Sequence, residues 1–367
     1  MNVIVVCGGT GGHLFPGIAL AEELRERGHA ATLVVSEKRI DRVAASGAPG
    51  FPIKSLPGVA WRGARPDRAL RFAMEAARAW FASGRLFASL RPDAVVGMGG
   101  FSTLAPLLAA RWRGIPTLIH ESNAVAGRAN RFLSGHVDRC ALGVLQAEHG
   151  FPSGRTAWTG TPVRAALRSL PPRAEARRGF GLPLEVPVVL VVGGSQGASA
   201  LNRLVLEAAA QTKAGVASWL HLAGESDVVA VRKAYAKGGV VARVEAFCHD
   251  MPSAYAAADL VVARCGAASL AEIAAAGLPS VLVPFPFAAD RHQSANAAIF
   301  HHAGAAVADE ESAWTGERLA IEIRGLLSEH GRLAAMAAAS RSLRQDGAHR
   351  SLADEVETLG AKKGGRP

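Results

Sequence analysis

The sequence lacks the cysteine pattern of a disulfide-stabilised or zinc-binding protein. Its four cysteines lie far apart and form no Cys-x-x-Cys pair, which favours a reducing compartment such as the cytoplasm. Two phosphate signatures are missing as well, because the chain has no Gly-Lys dipeptide for a P-loop and no Asp-x-Asp pair for a metal-bound diphosphate. From these absences we predict no metal site.

Long uninterrupted apolar runs are also absent. The uncharged stretch from Ile273 to Ala289, for example, is interrupted by Gly277, Pro279 and two further prolines. It is short for a membrane span, and its prolines break helices. We predict a buried strand and loops in this stretch.

Acidic residues are scarce relative to basic ones. The formal net charge is +10, which favours polyanions or an acidic membrane surface as partners. No helix-turn-helix, zinc-finger or RNP motif occurs in the sequence, so we predict no nucleic-acid partner.

Short β-branched runs alternate with alanine- and leucine-rich stretches along the chain. This order is typical of parallel sheets built from βαβ units. The predicted strands are residues 3–7, 31–35, 94–98, 117–120 and 139–142 in the first half, and 186–192, 218–222, 241–246, 260–263 and 280–284 in the second. We predict an α/β protein with two Rossmann-like domains, 1–163 and 164–344, and a helix at 345–360 that packs back on the first. Ligands of such sheets bind at the carboxyl ends of the strands, so a cleft between the domains is the expected site.

A glycine-rich loop follows the first strand of each half. The first loop is CGGTGGH, which ends at His13, and the second is VGGSQGA, from Val192 to Ala198. Such loops let backbone N–H groups approach an anion, and the following helix adds its positive N-terminus. The dinucleotide fingerprint fails because Leu14 stands where it needs a glycine, although Glu37 could serve as its ribose-binding acid. We interpret both loops as diphosphate sites, and tight βα turns without a ligand are the alternative.

Six motifs in chain order resemble one family. They are GGTGGHLFPG, GMGGF, HESNAVAGRANRFL, TGTPVR, GGSQGA and a stretch from Phe247 to Ala297 that contains RCGA and DRHQ. Together they are similar to the peptidoglycan N-acetylglucosaminyltransferases that make lipid II, over about Val3 to Ala306. The resemblance implies a GT-B fold, in which two Rossmann-like parallel-sheet domains face each other across a cleft.

The resemblance also implies an activity and a location. Members of the family are hexosyltransferases that move N-acetylglucosamine from UDP-N-acetylglucosamine to the muramoyl 4-hydroxyl of undecaprenyl-diphospho-muramoylpentapeptide (lipid I), with inversion, to give lipid II. They are peripheral proteins at the cytoplasmic face of the bacterial inner membrane. The expected partners are therefore UDP-N-acetylglucosamine, lipid I, an anionic phospholipid surface and cell-wall synthesis proteins. No cofactor is implied, since the UDP-sugar is a substrate.

The motifs also imply the residues that bind the UDP-sugar. Arg164 would contact the donor nucleotide or diphosphate, where a cation offsets the charge on leaving UDP. Ser195 would hydrogen-bond the diphosphate, and the Glu272 carboxylate would accept from the ribose hydroxyls. His292 and Gln293 would contact the sugar hydroxyls, and Asn123 would reach the UDP-sugar from the first domain. The residues implied for the uracil pocket are Cys248, Ala267, Ala268, Ser269, Leu270 and Ala271.

Three of these residues have a plainer interpretation. The sequence alone favours Arg164 as a surface arginine at a domain boundary. Ser195 is alternatively a helix N-cap, a role that can coexist with diphosphate binding. Glu272 has the spacing of a capping box with Ser269.

The sequence departs from the family pattern at three positions. Cys265 stands in place of a serine, Ser122 in place of a glutamine and Thr161 in place of an asparagine. None of these changes removes a catalytic group, but a cysteine in the donor pocket raises the prospect of thiol sensitivity.

The histidine of the first loop is the candidate catalytic base. The resemblance implies that Thr10, Gly11 and Gly12 wrap phosphate groups, and that His13 stands where the acceptor hydroxyl meets the anomeric carbon. A neutral imidazole can take a proton near pH 7. We hypothesise that His13 is the base, the alternative being that it only binds the diphosphate or orients Thr10. Glu121 is the second candidate base.

A basic aromatic helix is predicted before Arg91. Apolar residues recur from Leu70 at helical spacing, and arginines at 68, 71, 78 and 85 flank them. The helix is either a core helix with solvated arginines or an interfacial patch for anionic lipid, which suits a lipid-embedded acceptor. The residues of this membrane patch are Leu70, Met74, Trp80, Phe81 and, as an extension, Trp112.

Three other functions stay open at this point. Another GT-B enzyme, such as a UDP-N-acetylglucosamine 2-epimerase or a soluble glycosyltransferase, fits the loops but does not account for the basic aromatic helix. A nucleotide-sugar-binding protein without catalysis would be expected to lose His13 while keeping Glu272 and Arg164, and all three are present. A dinucleotide oxidoreductase fits least, since its fingerprint fails and the second half repeats the first.

Overall fold

The chain forms two compact units, which are described separately. The computed structural model describes residues 1–8, 11–37, 50–59, 65–194, 198–213 and 215–364. The N-terminal unit comprises residues 1–164 and 346–367, and the C-terminal unit comprises residues 165–345.

The N-terminal unit is built on a seven-stranded parallel sheet. Its strands are β1 (Asn2–Cys7), β2 (Ala30–Ser36), β3 (Ile53–Leu56), β4 (Ala94–Gly97), β5 (Thr117–Glu121), β6 (Arg139–Leu142) and β7 (Thr156–Trp158). They lie in the order β3-β2-β1-β4-β5-β6-β7. The helices described in this unit are α1 (Gly11–Glu26), α2 (Pro66–Leu90), α3 (Leu104–Trp112), α4 (Arg128–Ser134) and, at the end of the chain, α13 (Ala348–Gly364).

The C-terminal unit repeats this architecture on a six-stranded parallel sheet. Its strands are β8 (Val188–Val192), β9 (Ser218–Leu222), β10 (Ala242–Glu245), β11 (Leu260–Ala263), β12 (Ser280–Leu282) and β13 (Ala306–Ala308). They lie in the order β10-β9-β8-β11-β12-β13. The helices described are α5 (Arg173–Phe180), α6 (Ser199–Ala210), α7 (Val228–Lys237), α8 (Met251–Ala257), α9 (Ala267–Ala276), α10 (His292–His302), α11 (Gly316–Ser328) and α12 (His330–Ser342).

The central strands form because their side chains are apolar on both faces. In β1, Val3, Val5 and Cys7 pack into one core cluster, whereas Ile4 and Val6 pack into the cluster on the opposite face of the sheet. The residues of β8 alternate between two clusters in the same way. A parallel sheet covered by helices on both faces requires such continuous apolar runs. The predicted α/β class is therefore confirmed.

The ten predicted strands all form, and three further strands were not predicted. The three are β3, β7 and β13, and each lies at the edge of its sheet. They are three or four residues long, and only one residue of β3 is buried. An edge strand has one hydrogen-bonded neighbour and little buried surface, so its sequence carries a weak apolar signal. Residues 273–289 form the end of α9, strand β12 and loops, and no described helix is long and apolar enough to cross a membrane.

The last helix returns to the N-terminal unit. Leu352, Val356 and Leu359 of α13 pack into the core cluster that contains β1 and α1. At the rim of this contact the Arg27 guanidinium donates to Asp354 Oδ1 at 2.6 Å and to Glu357 Oε2 at 2.8 Å. The chain therefore begins and ends in the same unit.

A glycine lets α1 lie directly on β1 and β4. A Cβ on Gly17 would stand 2.3 Å from Cys7 Sγ and 3.2 Å from Met98 Cγ. Both neighbours are fully buried, so neither can move aside without disturbing the core. This close approach fixes the start of α1 against the ends of the two strands.

Substitution Gly17→Ala is expected to destabilise the N-terminal unit by about 1–3 kcal/mol, the usual cost of overpacking. The urea midpoint of unfolding measures this change. Gly135→Ala is the matched control, because a Cβ there meets nothing within 4 Å. The double variant Cys7→Ala/Gly17→Ala should recover most of the loss, since the added methyl then takes the space of the thiol. A Gly17→Ala protein as stable as the control would contradict this account.

Candidate active site

The carboxyl ends of β1 and β4 touch through their backbones. A Cβ on Gly8, the residue after β1, would lie 2.5 Å from the carbonyl oxygen of Gly99, which follows β4. Gly99 and Gly100 both have positive φ angles, of 106° and 82°, which disfavour other residues. Gly8 and the GMGGF motif thus form one surface at the carboxyl end of the sheet.

The His13 ring is held on this surface. His13 Nδ1 lies 2.6 Å from the carbonyl oxygen of Gly8, and the ring packs against Gly99 so closely that a Cβ there would be 2.9 Å from His13 Cδ2. A carbonyl oxygen only accepts, so Nδ1 must carry the proton of this hydrogen bond. In the neutral ring Nε2 then keeps its lone pair and can act as a base.

Glu121, at the end of β5, is saturated by hydrogen bonds. Its Oε1 accepts from the backbone N–H of Asn123 at 2.9 Å and from Asn123 Nδ2 at 2.8 Å. Its Oε2 accepts from the backbone N–H of Gly127 and from Asn130 Nδ2, both at 2.9 Å. The carboxylate is buried, and its four bonds fix the loop that carries Asn123.

The buried His120 connects this edge to the TGTPVR motif. Its Nε2 donates to the carbonyl oxygen of Gly160 at 2.9 Å, and its Nδ1 accepts from Ser122 Oγ at 3.2 Å. Burial lowers the pKa of His120, which keeps the ring neutral and suits one donating and one accepting nitrogen. Farther along the same motif, the Arg164 guanidinium lies over the Phe15 ring of α1 at 4.3 Å. Four predicted motifs therefore meet in the N-terminal unit.

In the C-terminal unit, Gln293 connects the ends of β11 and β12. Its Oε1 accepts from the backbone N–H of Cys265 at 3.1 Å and from that of Phe285 at 2.9 Å. Because both partners are donors, the oxygen must face them and the side-chain NH₂ faces away. Nδ1 of the preceding residue, His292, lies 2.6 Å from the carbonyl oxygen of Ala289.

An unusual backbone precedes this pair. Asp290 and Arg291 are consecutive non-glycine residues with φ angles of 50° and 52°. Left-handed backbone costs on the order of 1 kcal/mol or more for such residues and is frequent at functional sites. Helix α10 begins at His292, directly after this turn, with Arg291 as its N-cap.

Glu272 lies inside α9 and does not cap it. The helix begins at Ala267 after Gly266 as N-cap, so Ser269 and Glu272 are both interior and the capping-box interpretation is wrong. The reason is that Gly266 already has the extended backbone that an N-cap needs. The Glu272 carboxylate is buried and accepts from Tyr255 Oη at 3.1 Å.

The residues predicted for the uracil pocket belong to two segments of this unit. Ala267 to Ala271 form the first half of α9, directly after β11, and Cys248 is buried after β10. Cys265 is fully buried, and this burial raises the pKa of its thiol. A covered, protonated thiol reacts slowly, so the structure does not support thiol sensitivity at this position.

Two predicted residues, Thr10 and Ser195, lie outside the described part of the chain, whereas Gly11 and Gly12 form the start of α1. The prediction of no metal site rests on the sequence, and the described residues contain no group of three or more metal-binding side chains.

Sequence reasoning missed several residues that build the site. They are Phe15 beneath Arg164, His120, Asn130 and the Gly99–Gly100 pair, and in the C-terminal unit Arg264, whose Nη1 donates to the carbonyls of Val283 and Pro284 at 3.1 Å. For Gly99 and Gly100 the sequence did offer a signal, because a glycine pair after a strand repeats the pattern of the first glycine loop.

The comparisons with known proteins agree with this architecture. Residues 3–142 match the glycosyltransferase family 28 N-terminal domain, and residues 188–355 match the glycosyltransferase family 28 C-terminal domain. The UDP-N-acetylglucosamine–N-acetylmuramyl-(pentapeptide) pyrophosphoryl-undecaprenol N-acetylglucosamine transferase of Nitratidesulfovibrio vulgaris is 41% identical, over 98% of this chain and 97% of the relative.

Solved structures give the same result. The crystal structure of MurG from Acinetobacter baumannii superposes with a TM-score of 0.71 at 30% identity, covering 98% of this chain and all of that one. A UDP-N-acetylglucosamine 2-epimerase from Neisseria meningitidis has a TM-score of 0.70 over 98% of this chain and 100% of its own, but only 13% identity, which shows the shared fold alone. The resemblance in the six motifs is thereby confirmed, and the chain belongs to glycosyltransferase family 28, as an enzyme of the GT-B fold.

Proposed function

We propose that this enzyme transfers N-acetylglucosamine from UDP-N-acetylglucosamine to the muramoyl 4-hydroxyl of undecaprenyl-diphospho-muramoylpentapeptide, with inversion, to give lipid II for peptidoglycan synthesis. The observation that carries the proposal is full-length similarity, at 41% identity, to a transferase whose name states this donor and this acceptor. The epimerase alternative has only a shared fold in its favour.

His13 is the proposed general base. Its Nδ1 is committed to the carbonyl of Gly8, so Nε2 is the nitrogen that can accept the proton of the attacking sugar hydroxyl. The ring cannot turn freely, because Gly99 packs against it on one side. A fixed ring orientation places the lone pair before the substrate arrives, which lowers the barrier to proton transfer.

Glu121 is better explained as a positioning residue than as a second base. Each of its oxygens already accepts two hydrogen bonds, which leaves little capacity for a substrate proton. We propose that it holds Asn123 in place to contact the donor. Gly11 and Gly12, with Thr10, would supply backbone N–H groups to a phosphate at the start of α1.

The proposed donor site belongs mainly to the C-terminal unit. Gln293 has an NH₂ group for which the described residues offer no acceptor, which suits it to read a sugar hydroxyl, with His292 beside it. Glu272 would accept from the ribose hydroxyls, and the start of α9 with Cys248 would surround the uracil. Ser195 and Arg164 would bind the diphosphate, where positive charge stabilises leaving UDP.

We propose a peripheral position at the cytoplasmic face of the membrane, with α2 on the lipid. Leu70, Met74 and Phe81 form a stripe on α2 and are 64%, 60% and 66% exposed, while Phe72, Ala79 and Phe87 face the core. Trp112, at the end of α3, is 81% exposed, and the neighbouring Arg113 reaches α2 at Gly84.

Trp80 does not belong to this stripe. It is half-buried and packs with the core side of α2, because ten residues after Leu70 the helix has turned about a quarter turn toward the core. The remaining patch is an exposed apolar stripe opposite the buried face, which a core helix with solvated arginines would not show. Arg71, Arg78 and Arg85 lie beside it and would favour anionic lipid.

The function is tested by incubating the protein with labelled UDP-N-acetylglucosamine and a lipid I analogue. Formation of a lipid-linked disaccharide supports the proposal. Conversion of the donor to its 2-epimer without an acceptor would instead support the epimerase alternative, and donor binding without any product would support a binding protein.

The variant His13→Ala is expected to lower kcat by at least about 100-fold, the usual loss when a general base is removed. The dissociation constant for UDP should stay within about threefold of the wild-type value, because the base does not hold the nucleotide. His136→Ala, an exposed histidine after α4, is the matched control. If UDP affinity falls and kcat does not, His13 binds the diphosphate and is not the base.

The triple variant Leu70→Ser/Met74→Ser/Phe81→Ser is expected to bind vesicles of anionic phospholipid at least about tenfold more weakly, since it removes the apolar stripe. Co-sedimentation measures this binding. Ile321→Ser, which changes a 55% exposed residue of α11, is the control and should bind like wild type. Equal vesicle binding by the triple variant and the control would contradict the membrane patch.

A further inference from the structure

A row of four hydrogen-bonded polar side chains leads to the start of α6, and three of the four are buried. Its members are Asn202 in the first turn of α6, His221 on β9, Asp227 just before α7 and Tyr235 within α7. Asn202, His221 and Tyr235 are 2%, 0% and 3% exposed. None of them has a role in the transfer described above.

The hydrogen bonds of the row run in one direction. Asn202 Nδ2 donates to Asp227 Oδ2 at 2.8 Å and to the carbonyl oxygen of Ala223 at 2.9 Å, so Oδ1 is left as the acceptor. His221 Nε2 donates to this Oδ1 at 3.0 Å. The other nitrogen, Nδ1, then accepts from Tyr235 Oη at 2.9 Å. Every donor and acceptor in the row has one assigned role.

The imidazole at its centre is neutral. Burial lowers the pKa of His221 to about 4, and the Tyr235 ring packs edge-on against the imidazole at 5.7 Å between ring centroids. A neutral ring with one donating and one accepting nitrogen is the state that the row requires.

The acidic end of the row holds the start of α6. The hydroxyl of Ser199, the first residue of the helix, is the main cause that lowers the pKa of Asp227, and Asn202 contributes to the same shift. One carboxylate therefore binds two side chains that are three residues apart in the first turn. In the sequence, the motif GGSQGA immediately precedes Ser199.

We infer that Asn202, His221 and Tyr235, together with Asp227, are positioning residues that hold the start of α6 in place for the donor diphosphate. The inference rests on the proposed function, in which the second glycine loop and this helix N-terminus receive that diphosphate. Stability alone does not explain such a row, because well-packed apolar side chains in a core are generally at least as stabilising as a buried polar network. A row that ends on the first turn of α6 instead restricts how that turn can move.

The test compares His221→Leu, which removes both hydrogen bonds, with His221→Gln, which can still donate to Asn202 and accept from Tyr235. For His221→Leu we expect the dissociation constant of UDP, and KM for UDP-N-acetylglucosamine, to rise about tenfold or more, as loss of a buried hydrogen-bonded partner does. KM for the lipid I analogue should not change, and His221→Gln should restore UDP affinity to within about threefold of wild type.

Two further variants keep the result interpretable. Val205→Ala opens a cavity in the core beneath the same helix and leaves the four side chains of the row unsubstituted, and it should lower the unfolding midpoint but not the UDP affinity. Tyr235→Phe removes only the last hydroxyl and takes the place of His221→Leu if that variant does not fold.

Wild-type UDP affinity in His221→Leu or Tyr235→Phe would overturn the inference. It would also be overturned if Val205→Ala weakened UDP binding as much, since the effect would then come from destabilisation. UDP binding is measured by calorimetry without an acceptor. A wild-type protein that binds UDP but transfers no sugar would therefore contradict the proposed function and leave this test intact.

Discussion

The contact between Gly8 and Gly99 is the constraint on which the geometry around His13 depends. A side chain at either position would push apart the ends of β1 and β4 or displace the ring of His13. Because both residues are glycines, the Gly8 carbonyl can bind His13 Nδ1 while Gly99 packs against the same ring. A Cβ at Gly99 would lie within 3.0 Å of two atoms of the His13 ring, so this position has room for the imidazole only because the residue is glycine.

In both units, side chains hold the loops through hydrogen bonds to backbone groups. In the N-terminal unit, side chains bind backbone carbonyls and amides, as His120 does with Gly160 and Glu121 does with Gly127. In the C-terminal unit, the Gln293 carbonyl binds the backbone of two loops, and Arg264 holds the carbonyls at the end of β12. Such bonds hold loops at the carboxyl ends of the parallel strands, where ligands of these sheets bind.

Much of the fold could be predicted because the central strands are apolar on both faces. The residues of β1 and β8 alternate between two cores, so every position must be apolar, and the sequence shows this as a continuous apolar run. Three of the four edge strands, β3, β7 and β13, could not be predicted, since they are short and pair on one side only. Trp80 was assigned to the exposed stripe because apolar spacing does not tell which of two apolar faces of α2 meets the core.

The site was predictable in its motifs and less so in its contacts. The glycine loops, His13 and Gln293 can be recognised in the sequence. The tautomer of His13, however, depends on the carbonyl of Gly8, five residues earlier, and the packing of its ring depends on Gly99, eighty-six residues later. Such contacts are made by tertiary structure, so no local pattern encodes them. The capping-box interpretation of Glu272 failed for a local reason, because the helix starts earlier, with Gly266 as its N-cap.

The kcat for transfer by Gly99→Ala tests the central claim most directly. The added methyl would displace the His13 ring while every chemical group is kept, so kcat should fall at least about tenfold, in line with the cost of misplacing a catalytic group. The affinity for UDP should be unchanged. Gly114→Ala, also at positive φ but with open space around it, should transfer like wild type. A wild-type kcat in Gly99→Ala would contradict the claim that this glycine contact positions the catalytic base.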